Sequence, residues 1–288
     1  SGDTEGQRSV AIGTGALQVQ NFSSATQSYN TAVGHSAGLS ITTGVNNTLI
    51  GGLAGDALTD ADNNTAVGRG SLGADTLGST ATAIGFGALS SQNFTSATNN
   101  YNVAVGFNAG VAVSTGIANT LIGGLAGDVL TDAGFNTAVG QGSLGSDTRG
   151  TSSTAMGYNS LNAQNFTGAT QTFNTAIGFD SGKSITTGIR NTLLGSNSGS
   201  TLTDADYNVA VGQGALFADT LGSRTTALGY GALSAQNFAS ATDCYNTAVG
   251  FHAGLAVTTG TLNTLIGGNA GDSLTDADLN VAVGFSAL

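Results

Sequence analysis

The chain has 288 residues, of which 46 are Gly and none is Pro or Trp. Only 8 % are charged, and 6 Lys+Arg against 17 Asp+Glu give a formal net charge of −11. That balance argues against a nucleic-acid partner, which needs clustered cations. The Gly spacing without Pro excludes collagen, and the aliphatic content (40 % hydrophobic) argues against disorder.

The first predicted strand is Val10–Ala11–Ile12, closed by Gly13. Next come Thr31–Ala32–Val33 before Gly34, Thr48–Leu49–Ile50 before Gly51, and Thr65–Ala66–Val67 before Gly68. The closing glycine then returns at intervals of 21, 17, 17 and 17 residues as far as Gly284. Four such steps make a unit of 72 residues, and the chain divides into units 1–72, 73–144, 145–216 and 217–288. A fixed short period predicts stacked rungs, so the expected fold is an all-β parallel β-solenoid of sixteen coils forming one continuous segment. Ser1 aligns with Gly73 and Leu288 with Leu72, and neither end has a polar cap. This predicts a segment of a longer array.

Within a coil, the residue before Gly is a large aliphatic or Met, the one before that is Ala or Leu, and the third is Thr or Val. Successive strand residues face opposite sides. The expectation is that Val33, Ile122, Val139 and their equivalents face the core, while the Ala/Leu column faces a neighbour. That assigns Leu49, Ala66, Leu121, Ala138, Leu193 and Leu265 to an oligomer interface. The alternative is that Ala merely lines a thin coil interior. Four residues before Gly stands Asn in twelve coils, as at Asn30, Asn47 and Asn64, suited to hydrogen bonding from rung to rung and to a left-handed corner. Its replacements, Ser9, Ala81, Ser153 and Thr225, share one coil of the unit. The variable side of the coil carries three recurring loops: Gln92–Asn93–Phe94, Thr42–Thr43–Gly44 and Leu58–Thr59–Asp60–Ala61.

No catalytic constellation is present. His35 and His252 stand where other units have different residues, and Cys244 replaces Thr172 and Asn100. The chain is therefore expected to be no enzyme and to need no cofactor. Calcium is the one cation weighed: Asp60, Asp62, Asp132, Asp204, Asp206, Asp276 and Asp278 recur in turns as candidate oxygen ligands. Asp56, Asp128 and Asp272 lie four residues before the first Asp of the pair. Turn formation explains the same aspartates without a metal. No apolar run is long enough to span a membrane.

The Asn-Thr-Ala-Val-Gly-x-x-Ala pattern resembles the head repeats of trimeric autotransporter adhesins. It also resembles the repeats upstream of endosialidase-type chaperone domains in phage tail fibres. The resemblance implies a left-handed parallel β-roll, packed as a trimer or by lateral filament contacts, and placed outside the cell, on its surface or on a virion. The functional expectation is a structural segment of an extracellular fibre, stalk or sheath. The alternative is an adhesin head or phage tail-fibre shaft that binds a host surface receptor or glycan. Ice binding by the Thr column is the weaker reading, because each strand has one Thr and Val replaces it in four coils.

Overall fold

The computed structural model describes residues 3–288; Ser1 and Gly2, which open the first 72-residue unit, lie outside the described residues. Those residues form short strands, turns and bends, and no helix. Two compact units are present, Ser1–Gln141 and Gly142–Leu288. Each contains eight coils. In the first, three-residue strands run from Val10–Ile12 through Thr31–Val33 and Thr48–Ile50 to Thr137–Val139. In the second, they run from Thr154–Met156 to Val281–Val283. Neighbouring strands within a unit pair in parallel and in register, as in Thr48↔Thr65, Leu49↔Ala66 and Ile50↔Val67. The fold is a parallel β-solenoid of sixteen turns. Once per 72 residues a second, two-residue ladder flanks the longer coil, as at Gly78–Ser79 beside Thr98–Asn99.

The inward face is the reverse of the one expected. Ala32, Leu49, Ala66, Leu121, Ala138, Leu193 and Leu265 are all fully buried within a single chain. They fill the coil and cannot form an oligomer interface. The Val/Ile column, expected inside, points out: Ile50 is 40 % and Ile122 39 % exposed. The reason is the Asn two positions before the central strand residue. Its side chain is buried and tied to the coil's own backbone, so strand alternation carries the Ala/Leu residue inward with it.

Volume explains why Ala and Leu alternate in this column. Where the strand centre is Leu49, the corner positions facing it are Gly38 and Gly55, and a Cβ on either would come within 2.8 Å of a Leu49 methyl. Where the strand centre is Ala66, the corner carries Leu72 instead, fully buried. In these coils one large side chain takes the space from either wall, as close packing requires, and where Ala32 and Gly38 are both small, Leu17 and Leu49 of the adjacent coils and Ile41 fill it.

The closing glycine is required by backbone and by contact. All sixteen have φ between +126° and +144°. A Cβ on Gly123 would stand 2.7 Å from the carbonyl of Gly140 in the next coil. Each coil has three further left-handed positions: the residue before Asn, and the second and fourth residues after Gly. The left-handed residue is thus Asn46 or Tyr101, one place before the ladder Asn rather than that Asn itself.

Candidate functional site

Three features of the surface and interior bear on function. The first is the outward face of the strands. Four columns run along it: the residue before Asn, the Thr/Val column, the Val/Ile column and the residue after Gly. Its outer rows are rich in aromatics, with Tyr101, Phe107, Phe135, Phe179 and Phe251 each more than half exposed. Rings stack between adjacent coils, Phe86 on Phe107 at 5.6 Å and Tyr230 on Phe251 at 5.5 Å between centroids. In the second unit Arg190 and Arg224 alternate with Phe173, Tyr207 and Tyr245 in one row, with guanidinium-to-ring distances of 4.9 to 5.9 Å. Cation–π contact holds such a row together. Between a Thr column and outer rows that mix rings with Arg, Asn and Gln, the Val/Ile column gives this face an aliphatic stripe along each unit.

The second feature is a buried polar spine. Asn30 Oδ1 accepts the amide of Asn47 at 2.9 Å, and Asn47 Oδ1 accepts that of Asn64 at 3.0 Å. Asn30, Asn47 and Asn64 also donate Nδ2 to a carbonyl fourteen residues on, Asn47 to Ala61 at 2.7 Å. Where Asn is missing, Gln takes over. Gln92 Oε1 accepts from Asn102 Nδ2 at 2.8 Å, and Gln92 Nε2 donates to Asp75 Oδ2 at 2.6 Å. Asp75 Oδ1 accepts the amides of Gly78 and Phe94 at 3.0 and 3.1 Å. Asp147–Gln164–Asn174 and Asp219–Gln236–Asn246 repeat this arrangement. The aspartates are fully buried, yet their oxygens are satisfied by donors, which is what lets a carboxylate stay inside. Sequence reading passed over them. The signal was there, in an Asp seventeen residues before Gln and an Asn ten after it, but it has meaning only once the turn length is known.

Five of the seven candidate calcium ligands accept bonds from the neighbouring coil, and the other two from the adjacent Thr. Asp62, Asp206 and Asp278 accept the amides of Val45, Ile189 and Thr261 at 2.7, 2.7 and 2.6 Å. Asp60 and Asp204 accept from the hydroxyls of Thr43 and Thr187 at 2.5 Å. Asp132 and Asp276 accept from the neighbouring Thr131 and Thr275. Burial raises the carboxyls of Asp56, Asp128 and Asp206, whereas the amide and hydroxyl of Thr261 lower Asp278. Among the described residues, no three His, Cys, Asp or Glu groups come together around a point that could hold a metal. Cys244 is buried, and desolvation with the charge of Asp219 pushes its thiol up to about 12.

The third feature is a cleft of about 250 Å³ at the corner after the strand in the second unit. Four successive coils build it: Asn197 from one, Gln213, Gly214 and Phe217 from the next, then Tyr230 and His252. Phe217 interrupts the period here, standing where the other units have Ser1, Gly73 and Gly145, while His252 lies in a column that differs in every unit, as Ser36, Asn108 and Asp180. Among the described residues no helix is long and apolar enough to cross a membrane. Set against protein-family models, curated proteins and solved structures, the chain matches none.

Proposed function

We propose that the chain is a non-catalytic structural segment of an extracellular fibre, stalk or sheath, and that copies of it pack together through the outward strand face. The observation that carries this reading is the aliphatic column repeated on that face coil after coil, with Ile50, Ile84, Ile122, Ile177 and Ile266 each 38 to 40 % exposed. A surface stripe of aliphatic and aromatic side chains gains by leaving water at roughly 25 cal/mol per Å². Copies aligned in parallel would repeat every contact at each rung. The resemblance to adhesin and tail-fibre repeats supports a trimer as the first arrangement and a lateral filament contact as the second. The Thr column alone also fits ice binding, but the protruding rings beside it, such as Tyr101 at 61 % exposure, interrupt the flat plane that a lattice match needs.

Sedimentation of the 288-residue chain tests the proposal. The expected result is a concentration-dependent oligomer that the triple substitution Ile50→Lys, Ile84→Lys, Ile122→Lys reduces to monomers without altering the far-UV spectrum. The parent chain sedimenting at monomer mass throughout the micromolar range would overturn it.

A further inference from the structure

We propose that the cleft bounded by Phe217, Tyr230 and His252 binds a neutral saccharide ring. This goes beyond self-association and does not depend on it. A structural repeat has no reason to place a large ring at a surface corner where its other units have none, yet Phe217 stands here in place of Ser1, Gly73 and Gly145. His252 belongs to a column that differs in every unit, as Ser36, Asn108 and Asp180, and Asn197 is matched by Asn269.

The corner is also open here where an equivalent one is closed. Seventy-two residues earlier, Asn159 and Asn162 stand in place of Gly231 and Ser234. Asn162 Nδ2 donates to the Gly142 carbonyl at 2.8 Å, and a Cβ on Gly142 would lie 2.9 Å from Asn159 Oδ1. Those amides fill the space. At Gly214, the equivalent of Gly142, a Cβ would meet nothing within 4 Å, as at Gly70 two units earlier, so what distinguishes this open corner is the ring of Phe217 beside it. The floor of the cleft is therefore bare backbone.

The walls set the chemistry. Tyr230 and Phe217 are 50 % and 44 % exposed and offer aromatic surface to the C–H side of a sugar ring. Gln213 and Asn197 offer amide donors and acceptors, and His252 a ring nitrogen, to hydroxyls. No charged side chain lines the cleft, although the chain carries a net charge of −11. An ionic ligand would find no counter-charge. The volume, about 250 Å³, falls just below the ~300–1,000 Å³ of drug-sized pockets and suits one ring with its neighbours left in solvent.

Saturation-transfer NMR on the full chain is the test, with D-glucose, D-galactose and N-acetyl-D-glucosamine each at about 10 mM, well above a Kd of ~1 mM. Three variants each install a residue that the same column already holds elsewhere: Phe217→Gly as at Gly145, Tyr230→Thr as at Thr14, and Gly214→Asn as at Asn108. Asn108 has φ 52°, close to the 66° of Gly214, so the last substitution fits its backbone. The expected result is transfer to the ring protons of at least one sugar, reduced about fivefold or more by each variant and unchanged by Tyr158→Thr one unit earlier. Transfer from none of the three sugars, or transfer that all three variants retain, overturns the proposal. Choline chloride giving transfer where the sugars do not would assign the cleft to an organic cation and equally overturn it. Self-association is read separately by sedimentation, so either result stands without the other.

Discussion

Asp75 shows how much a single buried residue governs in a thin coil. Its two oxygens receive Gln92 Nε2 and the amides of Gly78 and Phe94, and Gln92 in turn holds Asn102. Removing the carboxylate strands three donors away from water. Each unsatisfied buried group costs about 1–3 kcal/mol. Asp75→Ala is therefore expected to destabilise by several kcal/mol, whereas Asp60→Ala, exposed and bonded only to the Thr43 hydroxyl, should cost less than about 1 kcal/mol. Urea melts of the two variants make the comparison, and equal midpoints would refute the ranking. Sequence reading singled out the exposed aspartates because they recur in obvious turns. The buried ones needed the fold, because two of the three donors to Asp75 lie seventeen and nineteen residues away and touch it only when the coil closes.

At the scale of one strand, the period, the glycine and the strand position were legible from the residues, but the inward side was not. Thr, Ala and Val are all compatible with either face, and the expectation that aliphatic Val and Ile lie inside is the usual one. Two signals pointed the other way. Asn, the most polar residue of the motif, has the same parity as Ala, and a polar side chain can go inside where it finds backbone partners at every rung. The pairing of Leu at the strand centre with Gly at the corner, as Leu49 with Gly55, so that no coil has Leu at both, also makes sense only for residues sharing one interior. Adjacent residues test the assignment. Leu121→Asp buries an unpaired charge among Gly110, Gly127 and Leu130 and should unfold the coil, a loss on the order of 3 kcal/mol or more. Ile122→Asp places the same charge on the outward face and should cost about 1 kcal/mol or less in a chain that is not associated. The reverse order in thermal melts would restore the Val/Ile column to the core.

For the molecule as a whole, apolar face and net charge pull in opposite directions. Copies that meet through the Ile and aromatic columns gain from removing that surface from water. Each copy nevertheless carries a formal charge of −11, and like charges on neighbouring copies repel. The acidic residues of the turns, such as Asp60 and Asp204, are exposed and contribute to the field around any assembly. Salt separates these terms. At about 0.01 M ionic strength the Debye length is ~30 Å and the repulsion reaches across a neighbouring chain; at about 1 M it is ~3 Å and acts only at contact. Apolar attraction does not fade over that range. Association of the chain is therefore expected to strengthen as NaCl is raised, read as a fall in the dissociation constant by sedimentation or light scattering. The row of Arg190 and Arg224 provides the opposing case: if those cations met the acidic turns of a partner, salt would weaken the assembly. Arg224 already pairs with Asp243 of its own chain at 2.9 Å and lies over Tyr207 at 4.9 Å, so its charge is engaged before any partner arrives. A dissociation constant that rises with salt would show that ion pairs rather than the apolar columns hold the copies together.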